Sequence, residues 1–330
     1  MTKIRMNPLT RRCLIAVAAG VCALTFAGTA SAQAYPAKPI TFIVPFAAGS
    51  ATDQLARTLG NSIARDTTQA VVVDNKPGAS GMMAAQAAAR APADGYTVLI
   101  TTNTTHAANE HLYKKLPYDP IKDFVPVTGL GTGGQLLVVK TESPYKTVAD
   151  LIAKARKDTG KLSFGSGSSS SRVAGEMFKQ LTHTDILHVP YKSNPNAITD
   201  LLGGQIDFMI TDTATGMPQV KGGKLRALGV STVKRMAVLP DVPTNAEAGV
   251  PGYDMGYWFA AYVPAGTPPA VVTKLHDLLV EATKSAAAKQ FFETTGSEPW
   301  TTSSAELAKF QASETQKWGR VIKAAGIEPE

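Results

Sequence analysis

Two short loops rich in glycine, serine and alanine carry the residue types that hold anions. They span residues 46–53 and 166–172, and each runs from a predicted strand into a predicted helix. The first N–H groups of a helix have no partner within it, so they and nearby hydroxyls can bind a carboxylate. Ordinary helix capping is the alternative for either loop alone. The candidate ligand-binding residues are Phe46, Ala47, Ala48, Gly49, Ser50, Ala51 and Thr52 in the first loop and Ser166, Ser168, Ser169, Ser170 and Ser171 in the second.

Charged side chains beside these loops suggest how an acid would be held. Arg172 opens the second predicted helix, and its planar guanidinium can hold a carboxylate at two points, unless it is simply a solvated surface side chain. Asp212 and Thr213 follow a predicted strand at 206–210. Asp212 could orient a ligand hydroxyl, ammonium or water, or it could cap the next turn. We interpret Asp53 mainly as a helix cap.

A third polar segment, residues 101–106, also follows a predicted strand. Ligands bind outside the carboxyl ends of parallel strands, so Asn103 and Thr105 are candidates for lining the same crevice. His106 and His111 do not indicate a zinc site, because the chain has five histidines and no H-E-x-x-H motif.

Two sequence features suggest an enzyme, but the residues around each do not fit the site that the feature requires. Residues 129–134 match G-x-G-x-x-G, but a strand-like segment at 135–140 follows where a dinucleotide site needs a helix. The serines suggest a hydrolase, yet the chain has no G-x-S-x-G elbow and no base evidently paired to a serine. We therefore predict no cofactor, no metal and no catalytic residue.

Strands and helices alternate in two similar units, which predicts an α/β fold with mainly parallel strands. The strands are predicted at 40–44, 70–74 and 96–101 in the first unit and at 161–164, 186–189 and 206–210 in the second. A helix is predicted from Asp53, with Leu55, Leu59 and Ile63 on one face.

Two connections are predicted to join these units. One consists of strand-like segments at 124–128 and 135–140, and the other lies near 253–263. Helices from Pro268 onward are predicted to pack back on the first unit. The expected domains are a discontinuous first lobe (33–133 and 257–330) and a second lobe (134–256), with the two connections acting as a hinge.

The first 32 residues have the layout of a signal peptide. Four basic residues precede an apolar run at 13–27, and Ala30-Ser31-Ala32 forms a cleavage signal. The run is too short for a membrane anchor, which typically needs about 20 residues; a twin-arginine route is a further alternative. Both cysteines, Cys13 and Cys22, would be removed. The rest keeps a surplus of three basic residues, too weak to indicate a nucleic-acid partner.

Further motifs run in order along the chain after this segment. They are YPAKPI at 35–40, IVPFAAG at 43–49, NKPGASG at 75–81, DGY at 94–96, LYKKLPYD at 112–119, FVPV at 124–127, HVPYK at 188–192, DLLGGQIDF at 200–208, GKLRA at 223–227 and PAGTP at 264–268. Together they resemble the Bug (Bordetella uptake gene) receptor family, the periplasmic solute receptors of tripartite tricarboxylate transporters. The resemblance covers essentially the whole chain beyond the signal peptide.

The resemblance implies a two-lobed α/β periplasmic binding protein, type II-like, that closes on a carboxylate. Its loops matching 46–52 and 166–171 hold the carboxylate with ordered water, and the segments matching 78–82, 103–106 and 212–215 line the cleft. These matches add Ser80 and Met82, and the HVPYK motif adds Tyr191 as a further candidate. The implied partners are a small organic carboxylate and a tripartite tricarboxylate-type permease. We expect a monomer in the periplasm of a Gram-negative bacterium.

Departures from the family pattern bear on the ligand. Members commonly have paired glycines at Gly49-Ser50, histidine at Arg172 and asparagine near Asp212. We therefore hypothesise a dicarboxylate, held at one end by the first lobe and at the other by Arg172 and the serine loop. Aromatic dicarboxylates such as terephthalate, citrate-like acids and acidic amino acids remain open. The competing functions are a receptor for a signalling system and a secreted serine hydrolase.

Overall fold

The computed structural model describes residues 35–330, and the predicted signal peptide lies outside the described residues. The chain first forms β1 (Ile40–Val44), α1 (Ala51–Thr67), β2 (Val71–Asn75), α2 (Met82–Ala89), β3 (Thr97–Thr102) and α3 (Asn109–Leu112). A 3₁₀ turn (Ala79–Gly81) precedes α2, and a π-helix (Thr104–Ala108) connects β3 to α3.

A long strand, β4 (Phe124–Lys140), leads into the second series of elements. These are α4 (Val148–Lys157), β5 (Ser163–Ser166), α5 (Ser169–Thr182), β6 (Leu187–Pro190), α6 (Asn194–Leu202), β7 (Phe208–Asp212), α7 (Thr213–Lys221) and β8 (Leu225–Val230). The chain ends with β9 (Gly256–Pro264), α8 (Pro269–Thr283), α9 (Ala286–Thr295), β10 (Glu298–Pro299) and α10 (Ser304–Ala324).

Strand β4 belongs to two sheets at once. As far as Gly134 it pairs with β9, and from Gln135 it pairs with β7 and β8. The first sheet has the order β2-β1-β3-β9-β4, and the second continues as β4-β7-β5-β6. We call the first sheet with α1–α3, the π-helix and α8–α10 the first half, and the second sheet with α4–α7 the second half.

The predicted strands are confirmed, with boundaries shifted by at most two residues. The predicted parallel pairing is also found: β1 pairs in parallel with β2 and β3, and β5 pairs in parallel with β6 and β7. The segments predicted separately at 124–128 and 135–140 form one strand, because the intervening glycines stay extended and pair with β9. Helix α1 begins at Ala51 and not at Asp53, since Ser50 is its N-cap. Among the strands of residues 35–330, β9 pairs only with β3 and β4, so the second connection enters the first half before Gly256.

The C-terminal helices pack on the first half. Helix α8 contacts β4 and α1, and α10 contacts β4 and the π-helix. Leu275, Leu279, Leu307 and Trp318 are buried in these contacts. Burying such side chains removes apolar surface from water at about 25 cal/mol per Å². This packing fixes β3, β4 and β9 beneath the loops that end at the candidate site.

Candidate functional site

A cavity lies between the two halves, beyond the carboxyl ends of β1, β3, β5 and β7. About 350 Å³ of atom-free space, part of it open to solvent, lies between its walls. Its lining residues are Phe46, Ser50, Ala51, Thr52, Thr102, Asn103, Thr104, Gly167, Ser168, Ser170, Ser193, Asn194, Asp212, Tyr257 and Phe259. Within residues 35–330, this lining contains no lysine, arginine or histidine, and Asp212 is its one carboxylate.

The first loop is held rigidly at the N-terminus of α1. Ser50 Oγ accepts a hydrogen bond from Asp53 N at 3.3 Å, and Asp53 Oδ2 accepts one from Gly49 N at 2.9 Å. Asn75 Nδ2 donates to Phe46 O and to Asp53 Oδ1, each at 2.9 Å. The cap is therefore Ser50, and the expectation that Asp53 is mainly a cap is wrong: its carboxylate ties the loop to the helix. The first-turn N–H groups of α1 have no partner within the helix, as an anion site requires.

The charge of Asp53 is stabilised where it lies. Burial opposes its ionisation, but hydrogen bonds from Arg57, Gly49 N and Asn75 outweigh that effect and lower the pKa of the carboxyl. Arg57 Nη2 lies 2.9 Å from Asp53 Oδ1 and also donates to Asn75 Oδ1 at 3.1 Å. The loop is thus fixed by an ionised, fully paired carboxylate.

The serine loop begins α5 in a similar way. Ser168 is the N-cap, and Ser168 and Ser171 exchange hydrogen bonds in a capping box. Gly167 N donates to Asn194 Oδ1 at 2.9 Å, and Ser171 Oγ donates to the same atom at 3.2 Å. A side chain at Gly167 would overlap the backbone of Ser193, so glycine is required by this close approach. Ser168 and Ser170 are left facing the cavity.

The segment after β3 brings unpaired polar atoms to the cavity. Asn103 is fully buried, and neither its Nδ2 nor its Oδ1 has a hydrogen-bond partner within the protein; Thr104 Oγ1 is likewise unpaired. Thr105 does not line the cavity, because its hydroxyl bonds Thr101 Oγ1 at 2.6 Å and His106 Nδ1 at 2.9 Å. A π-helix directly follows Asn103, a distortion that is frequent at functional sites.

His106 belongs to the core beneath the cavity. Its ring is fully buried and stacks on Tyr262, with ring centroids 3.9 Å apart. Burial lowers its pKa to about 3, so the imidazole is neutral. Residues 35–330 contain no cluster of three or more histidine, cysteine, aspartate or glutamate side chains placed to hold a metal ion.

Asp212 caps a helix, one of the two alternatives predicted for it, and its side chain also reaches the cavity. It is the N-cap of α7, with Oδ1 accepting from Thr215 N at 2.7 Å, and it also lines the cavity. Asn194 Nδ2 donates to its Oδ2 at 2.8 Å. The neighbouring Thr213 does not line the cavity, because its hydroxyl bonds Tyr257 Oη of the first half at 2.9 Å.

The structure does not support a ligand contact for Arg172. Its Nη1 lies 2.6 Å from Glu330 Oε1, and the side chain is not among the lining residues. Ser169 is also engaged across the halves, with Oγ donating to Asn109 Oδ1 at 2.7 Å. Both side chains lie at the start of α5 but meet groups of the first half.

Three further candidate hydroxyls lie outside the cavity lining, because each is hydrogen-bonded to another side chain. Ser80 Oγ bonds Tyr113 Oη, Ser166 Oγ bonds His188 Nε2, and Tyr191 Oη donates to Asp200 Oδ2. Ala47, Ala48, Gly49, Ser171 and Met82 are also absent from the lining, whereas Phe46, Ser50, Ala51, Thr52, Asn103, Ser168, Ser170 and Asp212 belong to it.

Sequence reasoning missed part of the lining. Ser193 and Asn194 precede α6 after β6, in the same strand-loop-helix pattern used to find the other loops, so a signal existed. Tyr257 and Phe259 lie within β9, where nothing in an apolar strand indicates which side chains reach a cavity. Thr102, Thr104 and Gly167 lie within the predicted segments 101–106 and 166–172 but were not named among the candidates; the residues missed altogether are Ser193, Asn194, Tyr257 and Phe259.

Two α/β halves sharing a long strand, with a polar cavity between them, define the class of periplasmic binding proteins. The chain belongs to the family described as tripartite tricarboxylate transporter family receptor, whose pattern matches residues 55–327. This is a family of solute-binding receptors, not of enzymes, and the resemblance to the Bug receptors is confirmed. Within residues 35–330, no helix has the length and apolar character needed to cross a membrane.

Related sequences and solved structures match most of the chain. BugT of Bordetella pertussis (strain Tohama I) is 32% identical over 318 residues, covering 96% of this chain and 98% of BugT. The structure of Rpa4515 of R. palustris with adipate is 36% identical, with a TM-score of 0.87 over 90% of this chain and 100% of that chain. The periplasmic binding protein BugD is 31% identical, with a TM-score of 0.86 over 90% and 100%. MatC of Rhodopseudomonas palustris with bound malate is 29% identical, with a TM-score of 0.83 over 87% and 100%.

Proposed function

We propose that this receptor binds a small dicarboxylate in the cavity between its halves and delivers it to a tripartite tricarboxylate-type permease. The observation that carries the proposal is the amide of Asn103, which is fully buried, lines the cavity and has no partner in the protein. An unpaired buried polar group costs about 1–3 kcal/mol. A bound carboxylate would accept from Asn103 Nδ2 and remove part of that cost.

Neutral donors would hold the acid. The N-termini of α1 and α5 reach the cavity from opposite halves, and Ser50, Thr52, Ser168 and Ser170 add hydroxyls. Fixed backbone dipoles at helix N-termini favour a negative charge by roughly 0.3–1 kcal/mol each, and more when partly buried. The bound adipate and malate of the two related structures are both dicarboxylates. Terephthalate belongs to the same chemical class and is a candidate.

Closure of two lobes would enclose the ligand. In this proposal the lobes are 33–133 with 257–330 and 134–256, hinged where β4 passes between the sheets. Contacts across the cavity support a closed arrangement: Ala47 N donates to Ser193 Oγ at 3.2 Å, and Ser169 Oγ donates to Asn109 Oδ1. A ligand touching both lobes favours the closed form, which a permease can then recognise. The proposed receptor works as an exported monomer in the periplasm.

Titration calorimetry of the purified protein tests the ligand class. Succinate, adipate, terephthalate and citrate are compared with butyrate and hexanoate, which match the two aliphatic diacids in length but carry one carboxylate. We expect at least one dicarboxylate to bind ten-fold or more tightly than its matched monoacid. Equal binding of both members of each pair, or no binding of any acid, contradicts the proposal. Mass spectrometry of acids that copurify with the protein supplies ligands beyond this panel.

Uptake measurements test delivery. A strain lacking this receptor should lose uptake of the labelled dicarboxylate, and uptake should return when the receptor is restored. Unchanged uptake with altered gene expression would instead indicate a signalling receptor.

Sequencing of the mature N-terminus tests cleavage near Ala32, and light scattering tests the monomer.

A further inference from the structure

The single carboxylate in the cavity lining faces no opposing cation. Asp212 is the one aspartate or glutamate among the lining residues, and no Lys, Arg or His of residues 35–330 lies within ion-pairing distance of its carboxylate. Its hydrogen-bond donors, Thr215 N and Asn194 Nδ2, are neutral. They orient the carboxylate without cancelling its charge.

The carboxylate retains capacity to accept further bonds. An ionised carboxylate can accept about four hydrogen bonds, and the protein supplies two to Asp212. Its charge also acts across the cavity: after burial, Asp212 is the next cause that raises the pKa of Tyr257. Tyr257 therefore remains a neutral phenol in the opposite wall.

This arrangement makes the two ends of the cavity chemically different. Donors from α1, α5 and Asn103 suit a carboxylate, whereas Asp212 repels one and attracts a donor. We propose that Asp212 is a specificity-determining residue that selects dicarboxylates carrying a hydrogen-bond donor, hydroxyl or ammonium, on the carbon chain. This inference rests on the proposed function, because it assumes that an acid occupies this cavity.

A matched ligand series isolates the donor. Succinate, L-malate and L-aspartate share one four-carbon skeleton and differ by H, OH and NH₃⁺ at one carbon. Calorimetry at pH 7.5 should give at least ten-fold tighter binding of malate or aspartate than of succinate. Tighter malate would identify a hydroxyl as the donor, and tighter aspartate an ammonium. Glutarate, 2-hydroxyglutarate and glutamate repeat the comparison one carbon longer.

In Asp212→Asn, the preference for malate or aspartate over succinate should fall to less than three-fold. The affinity for aspartate should fall most, and the affinity for succinate should rise several-fold. Asn is a good N-cap, so α7 is retained, and Asp212→Ser gives a second capping variant without charge. Asp241→Asn removes the same charge from an exposed position and should leave all affinities unchanged. Thermal unfolding confirms that each variant folds.

The outcomes separate the two proposals. If the acids bind but unsubstituted succinate or glutarate binds as tightly as its substituted partners, the role of Asp212 fails while the dicarboxylate receptor stands. Equal losses for all three ligands in Asp212→Asn also overturn the selective role. If no acid of either length or of the wider panel binds, the proposed function itself fails.

Discussion

Arg172 on α5 and Glu330 form an ion pair between the two halves, with 2.6 Å between Nη1 and Oε1. The backbone of Glu330 is fixed to the first half, because its N donates to Leu112 O at 3.0 Å and its O accepts from Lys114 N at 2.9 Å. The arginine that the sequence suggested for a ligand carboxylate therefore meets a carboxylate of the protein.

Arg172→Ala and Glu330→Ala should have equal and small effects on ligand affinity. The Glu330 side chain is 58% exposed, and such pairs contribute about 0–1 kcal/mol, which is at most roughly a five-fold change in Kd. Calorimetry of both variants and of the double variant measures the coupling. A loss above ten-fold in Arg172→Ala alone, with Glu330→Ala unaffected, would show instead that Arg172 contacts the ligand.

Asn103→Ala should separate binding from stability. The Asn103 amide has no partner in the protein, so its removal should weaken dicarboxylate binding about ten-fold or more without lowering the free energy of unfolding. Asn75→Ala is the matched control, because Asn75 holds Phe46 O and Asp53 Oδ1 and its loss should destabilise the protein by about 1–3 kcal/mol. Calorimetry and chemical denaturation without ligand check both. Strong destabilisation by Asn103→Ala with unchanged binding would refute the assignment.

One buried and one half-buried histidine, His106 and His188, should make stability fall as the pH is lowered below about 6.5. Burial lowers the pKa of His106 to about 3, and burial together with the charges of Arg172 and Lys179 lowers that of His188 to about 4. In the unfolded chain each histidine has a pKa of 6.5 and binds a proton below that pH, whereas in the folded protein it stays unprotonated until the pH approaches its lowered pKa. Their stabilisation is therefore complete above pH 6.5 and is lost toward the folded pKa values.

Denaturant titrations between pH 6 and 5, where most carboxylates stay ionised, measure this slope. His106→Phe keeps an aromatic ring beside Tyr262 and should remove about half of the slope, and His106→Phe with His188→Asn should remove most of it. Each histidine contributes at most about 1.4 kcal/mol per pH unit. An unchanged slope in the double variant would mean that neither histidine is held neutral in the folded protein.

Gly133→Ala should disturb the place where β4 passes between the sheets. A methyl group there would overlap the hydroxyl of Tyr257, which lines the cavity and bonds Thr213 Oγ1. Such overpacking typically costs about 1–3 kcal/mol, and ligand affinity should fall with it. Gly203→Ala is the control, because its nearest neighbours lie at an ordinary 3.5 Å. Wild-type affinity in Gly133→Ala would argue against a role for this position in shaping the site.

Local features were predictable because their causes lie within a few residues. The two loops at the N-termini of α1 and α5, and the strands before them, follow from hydrophobic runs and small polar residues only a turn apart, although the cap of α1 is Ser50 and not the expected Asp53. Asn103 was found for the same reason, since it directly follows the strand that carries it.

The sequence by itself determined the α/β pattern, the receptor family and three of the loops that meet at the cavity. Tertiary structure alone decided which polar side chains remain free for a ligand. Ser169 and Arg172 each find a partner in the first half, and Tyr257 enters the lining from β9. These partners lie 60 and 158 residues away along the chain, so packing of the two halves, and not local sequence, distributes the hydrogen bonds.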